Sequence, residues 1–163
     1  MDFANFIAGH ESEYNIRGDF FKKLCEYKRV ESPGSYLNNM PNSERVWFLN
    51  QSKTDFQRKC KFTLCFESTA HYGFITEKIT DAFYADTIPV YYGSSSVKDI
   101  FNENAFINCA DYESFDAVVE KVKELDPEYK DLPKDIIDQI NIEIKYEGYS
   151  ARQQKQVDEF RRV

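Results

Sequence analysis

The chain lacks the spacings that usually announce a metal centre. Its four cysteines, Cys25, Cys60, Cys65 and Cys109, form no C-x-x-C pair, and its only histidines are His10 and His71. That pattern does not build a zinc site. The plain reading is free thiols, buried or half-buried, in a reducing compartment. Long apolar runs are missing too: none approaches the ~20 residues that span a bilayer. Asp2 and a short first apolar run read as no signal peptide. The expected location is therefore cytoplasmic, or peripheral at the cytoplasmic membrane face. Positive charge is not in excess either, since 21 Lys/Arg stand against 28 Asp/Glu for a net charge of −7. This argues against nucleic acid or an anionic membrane as the main partner.

What the chain does have is apolar and aromatic residue content, 42% and 16% of its 163 residues, enough for one cored domain or one domain with a small appendage. Phe3 to Ala8 reads as a short strand. Gly18 to Tyr27 reads as a helix, with Phe20, Phe21, Leu24 and Tyr27 on one face. Arg29 to Glu31 reads as another strand, and Ser32-Pro33-Gly34 breaks the chain. Ser43 to Lys59 has mostly helical spacing. Ala105 to Cys109 is a further strand. Asp111 to Leu125 is a helix that buries Phe115, Val118, Val119 and Val122, with an acidic first turn that suits the helix dipole. Strands alternating with helices at this spacing predict a mostly parallel sheet flanked by helices.

The densest signal is the stretch from Lys61 to Ser96. Lys61 to Glu67 is a β-rich apolar run, Ser68 to Gly73 a small polar loop, Phe74 to Asp86 a helix with Ile75, Ile79, Ala82 and Phe83 on one face, and Thr87 to Gly93 a second apolar run. A loop that leaves a strand and feeds a helix N-terminus is where α/β sheets bind phosphate-bearing ligands. Thr76-Glu77-Lys78 puts a hydroxyl, a carboxylate and an ammonium within one turn of that end.

This stretch resembles the donor-binding motif of the α-1,3-fucosyltransferases, which move fucose from GDP-fucose to the N-acetylglucosamine of a glycan. Lys61, Phe62, Leu64, Phe66, Glu67, Thr76, Glu77, Lys78, Pro89, Val90 and Gly93 match the family pattern in register. Ser68 stands where the family has Asn, Thr69 where it has Ser, and Phe74 where it has Tyr. Upstream, FANFIAGHESEYNIRGDFFKKLCEYKRVESPG is similar to the family's opening strand, Arg-led helix and Y-K-x-V-x-S-x-G. The resemblance implies one half of a two-Rossmann glycosyltransferase: an α/β, Rossmann-like parallel sheet with flanking helices over residues 1–123, which binds the sugar nucleotide.

The resemblance also implies roles. Arg17 offers a planar fork to the diphosphate, and Lys78 a compact second charge. Glu77 accepts from the ribose hydroxyls. Each has a plain rival: Arg17 as an exposed helix-end charge, Glu77 as a dipole partner, Lys78 as a solvated lysine. Glu67 either bonds fucose hydroxyls or braces loop amides. Ser68, Thr76 and Phe74 border the same pocket, and Gly93 either approaches the ligand or turns the chain. His71 reads as a solvated loop histidine. No catalytic residue is expected within the chain, since the family's carboxylate base lies in an N-terminal acceptor domain that this sequence does not match. Donor recognition without efficient turnover follows. The donor substrate is GDP-fucose, with no cofactor and no metal.

Residues 124–163 change character and read as a helical appendage. Leu132-Pro133, the run to Ile144, Lys145 to Tyr149 and Arg152-Gln153 resemble the C-terminal helical region of the glucose-inhibited division protein A family. That family is FAD-dependent and modifies tRNA uridine, but no FAD motif is present here. Ile136, Ile137, Ile140 and Ile144 fall on one helical face. Residues 121–163 hold nine Lys/Arg against ten Asp/Glu, a balance that does not favour free-standing tRNA binding. Two alternatives follow: a donor domain with a different nucleotide-sugar choice, and a non-catalytic module whose tail docks a tRNA-modification partner.

Overall fold

The computed structural model describes residues 1–46 and 51–131. Ten regular elements follow in order: β1 (Asp2–Asn5), α1 (Ile16–Tyr27), β2 (Val30–Glu31), α2 (Gln51–Gln57), β3 (Cys60–Phe66), α3 (Glu77–Tyr84), β4 (Ile88–Tyr92), α4 (Val97–Ile100), β5 (Ile107–Asn108) and α5 (Phe115–Asp131). The strands form one sheet in the order β2-β1-β3-β4-β5, and every described pair is parallel. This is the Rossmann-like α/β arrangement that the sequence predicts.

The two-residue period of β3 explains how the sheet is sandwiched. Phe62, Leu64 and Phe66 enter one core with Phe20, Phe21 and Leu24 of α1 and Val118, Val119 and Val122 of α5. Cys65, from the alternate set, enters the opposite core with Ile79 and Ala82 of α3 and Tyr91 of β4. All of β3 is buried, as a central parallel strand covered on both faces must be. Phe20 stacks on Phe66 at 4.9 Å and Phe66 on Tyr92 at 5.6 Å, so an aromatic ladder runs under the C-terminal end of the sheet.

Element boundaries moved in several places. α3 starts at Glu77, not at Phe74; residues 74–76 form the end of the loop, where Phe74 and Ile75 amides bond the carbonyls of His71 and Gly73. β5 is only Ile107–Asn108, because single 3-10 turns take Glu103–Ala105 and Cys109–Asp111. α5 starts at Phe115 and runs without a break past Glu124, where the appendage was expected to begin. Within that stretch Asp126 is buried, and it accepts from Lys61 at 2.7 Å, Lys28 at 2.9 Å and Tyr27 at 3.1 Å. Against the upward push of burial, Lys61 and Lys28 hold the Asp126 carboxyl below its ordinary range. The remaining tail assignments, including the isoleucine stripe, lie outside the described residues.

Candidate functional site

The topology reverses between β1 and β3: α1 returns the chain to β2 on one side, and α3 leads to β4 on the other. Open α/β sheets bind ligands in the crevice outside the carboxyl ends of such a strand pair. Here that crevice is a cavity of about 90 Å³ between the loop entering α1 and the loop leaving β3.

Glu67 sits at the floor, one residue past β3, and is 1% exposed. Its amide bonds the Tyr92 carbonyl, which fixes the backbone to β4. Its carboxylate is fully engaged: Oε1 accepts from the Thr76 amide at 2.8 Å, and Oε2 accepts from the Thr76 hydroxyl at 2.8 Å and from Lys78 Nζ at 3.1 Å. Lys78 also donates to Thr76 Oγ1 at 2.8 Å. A buried carboxylate needs such partners, because an unpaired one in the interior is prohibitively costly. Of the two roles open to Glu67 in the sequence, the structure shows the bracing one. The Thr76 hydroxyl therefore does not cap α3; it belongs to this three-residue network.

Arg17 is 3% exposed, so it is not a helix-end surface charge. Its Nη1 donates to the His10 carbonyl at 3.0 Å and its Nη2 to the Phe66 carbonyl at 3.1 Å, which ties α1 to the last residue of β3. Nε is buried without a partner. Burial draws the guanidinium below its usual pKa, while Glu11 and Glu67 act in the opposite direction. The first amides of α1 are satisfied internally: Arg17 N–H bonds Ser12 Oγ at 3.1 Å and Gly18 N–H bonds Glu11 Oε1 at 3.3 Å.

Glu77 lies beside this network with its side chain about half exposed (55%). Buried Lys53 approaches it at 3.7 Å while bonding Asp81 at 2.7 Å. Burial pushes the Glu77 carboxyl up, but Lys78, the local backbone, Lys53 and Thr76 together bring it below the ordinary carboxylate value. Ser68 is half-buried in the crevice wall, and its carbonyl accepts from the Glu13 amide at 3.3 Å. Phe74 stands apart, 39% exposed on the loop.

Gly93 meets a crowded spot. A Cβ there would lie 2.5 Å from Tyr91 Oη and 2.7 Å from Glu67 Cγ, so the small residue lets β4's exit loop pass over the buried carboxylate. Tyr91 was not singled out from the sequence. Its ring is fully buried, its hydroxyl accepts from the Ser94 amide at 3.1 Å, and burial raises its pKa. The Ser94 and Ser96 hydroxyls, 2.7 Å apart, accept from the Gly73 amide at 2.9 and 3.2 Å. They thus stitch the β3 and β4 exit loops together, while Gly73 takes a left-handed φ of 82°. The run of three serines after a glycine was the available sequence signal for this clasp. Among the described residues, no group of three or more His, Cys, Asp or Glu is placed to hold a metal ion, and no helix is long and apolar enough to cross a membrane.

The arrangement is a switch-point crevice floored by Glu67, a clamped carboxylate that tethers the Lys78 ammonium, with buried Arg17 bonded to the carbonyl of Phe66, the residue before Glu67. Comparison with known proteins identifies the family. The model of glycosyltransferase family 10 (fucosyltransferase), C-terminal part, matches residues 2–134. The chain is 37% identical to the α-(1,3)-fucosyltransferase FucT of Helicobacter pylori, over 76% of this chain and 24% of that protein. It is 31% identical to α-(1,3)-fucosyltransferase B of Drosophila melanogaster, over 67% of this chain and 26% of that one. A crystal structure of an α1,3-fucosyltransferase with GDP-fucose superposes with a TM-score of 0.67 at 37% identity, covering 76% of this chain and 35% of the other. The chain thus spans about a quarter of the length of these curated relatives. With the family model covering most of its residues, the chain belongs to glycosyltransferase family 10, the fucosyltransferases, and corresponds to their C-terminal part.

Proposed function

We propose that this chain is the donor-binding half of an α-1,3-fucosyltransferase, which takes fucose from GDP-fucose to the N-acetylglucosamine of a glycan with inversion. The observation that carries the reading is the network at the switch point. Glu67 holds the Lys78 ammonium in place, and buried Arg17 is bonded to the carbonyl of the residue before Glu67. An ammonium has three donors, of which Glu67 and Thr76 engage two. The third, with the remaining N–H groups of Arg17, suits a diphosphate. As GDP leaves, charge builds on the β-phosphate, and cations already fixed in position stabilise it without reorganising. Glu77, half exposed and kept ionised by its neighbours, is suited to accept from ribose hydroxyls. Ser68 lines the crevice, and Gly93 packs against the Glu67 side chain that floors it.

The general base that takes the acceptor hydroxyl's proton comes from outside these 163 residues, as does the acceptor site. The chain alone therefore binds donor and turns it over poorly. Unpaired buried thiols at Cys60, Cys65 and Cys109 support a reducing, cytoplasmic setting. Calorimetric titration with GDP-fucose and GDP tests the reading. Saturable binding that Lys78→Ala weakens at least ten-fold is expected. Equal binding by parent and variant, or efficient transfer to N-acetyllactosamine by the chain alone, would overturn it.

A further inference from the structure

Two consecutive residues that enter α1 are strained. Tyr14 has φ 58° and ψ 22°, and Asn15 has φ 57° and ψ 19°. Asn tolerates this left-handed region; a bulky tyrosine there is an outlier. Strain of this kind is normally offset by packing, yet the Tyr14 side chain is 86% exposed and gives the core nothing. Gly or Asn would make the same turn with less strain. Backbone outliers that the fold does not require concentrate at ligand sites.

The position matters. Tyr14 lines the switch-point cavity together with Glu13 and Ile16, opposite Glu67 and Ser68. The next residue along is Arg17, whose buried Nε has no partner. The Glu13 amide is tied to the Ser68 carbonyl, so this wall is fixed to the loop across the crevice. One wall therefore presents an exposed phenol ring and an exposed carboxylate side by side, within four residues of buried Arg17.

We propose that Tyr14 and Glu13 form the nucleobase platform of this chain, with the Tyr14 ring stacking on guanine and the Glu13 carboxylate accepting from the adjacent N1–H and N2–H groups of that base. The assignment rests on the GDP-sugar reading given above. Guanine is the part of such a donor that is both flat, to match a ring, and bears two neighbouring donors on one edge, to match a carboxylate. Adenine and uracil lack that paired donor edge.

The test titrates the 163-residue chain with GDP, ADP and UDP and records thermal midpoints for the parent, Tyr14→Asn, Tyr14→Phe and Glu13→Gln. Tyr14→Asn relieves the backbone and should melt no lower than the parent. It should nevertheless lose about ten-fold in GDP affinity, the loss expected when one base-stacking ring is removed. Tyr14→Phe should bind GDP as the parent does. Glu13→Gln should narrow the preference for GDP over ADP. GDP affinity unchanged in Tyr14→Asn, or a midpoint well below the parent's, overturns the platform. A parent that binds GDP, ADP and UDP equally also overturns it, while leaving the diphosphate site intact. A parent that binds none of the three removes the donor reading and the platform together.

Discussion

Replacing Gly93 by alanine tests the geometry of the site with one methyl group. The new Cβ would lie 2.5 Å from Tyr91 Oη, 2.9 Å from Tyr91 Cζ and 2.7 Å from Glu67 Cγ, all closer than real Cβ contacts come. None of these neighbours can move freely. Tyr91 is fully buried and holds the Ser94 amide, and Glu67 is buried with both carboxylate oxygens engaged. Overpacking of this kind costs about 1–3 kcal/mol. At ~2–4 °C per kcal/mol for a domain of this size, Tm should fall by roughly 2–12 °C. The damage should also reach binding, because a displaced Glu67 no longer positions Lys78. Weakening a charged hydrogen bond worth about 1.5–3 kcal/mol predicts GDP affinity lower by about ten-fold or more. Differential scanning calorimetry and titration with GDP measure the two effects. The double variant Gly93→Ala/Tyr91→Phe removes the nearest atom and should recover part of the lost stability, which makes the pair non-additive. If Gly93→Ala matches the parent in both Tm and GDP affinity, the crowding argument is wrong and Gly93 serves only to turn the chain.

Asp126→Ala strands the buried Lys61 ammonium and should cost about 3–5 kcal/mol in urea unfolding, whereas the paired change Lys61→Met/Asp126→Leu should be nearly neutral. Because Lys61 and Lys28 hold the folded-state pKa of Asp126 below its unfolded value, the stability from this cluster is present above the unfolded carboxylate value. It should be lost as pH falls through the lower folded value, and Asp126→Asn should flatten that acid limb in pH-dependent melts. Glu67→Gln keeps the shape but removes the charge opposite Lys78; its GDP affinity should fall while the circular dichroism spectrum stays unchanged. Thiol titration of the native chain should modify half-buried Cys25 first. Cys60, whose pKa burial raises to about 12, and Cys65 and Cys109, which burial also pushes up, should react only on unfolding.

Much of this was legible in the residues alone. The alternation of Phe62, Leu64 and Phe66 against Cys65, and the helical spacing of Phe20, Phe21 and Leu24 or of Val118, Val119 and Val122, set which side chains face a core. They also set that the strands run parallel between helices. Such periodicities are local, so one sequence carries them without knowledge of distant partners. The motif from Lys61 to Gly93 likewise pointed to the end of β3 as the candidate site. The sequence alone did not determine how the site's charges are used. Arg17 read equally well as a surface charge or a phosphate fork; only its approach to the Phe66 carbonyl, across a strand far along the chain, buried it. Glu67 read as ligand-facing or loop-bracing until folding brought the Thr76 amide and Lys78 onto its oxygens. Asp126 looked like part of a tail until Lys61 met it in the interior. The left-handed backbone at Tyr14 left no sequence mark at all, since tyrosine is not a residue that announces such a turn. Local pattern fixes which face is apolar, but the pairing of buried charges depends on distance in space, and that is decided only when the sheet closes.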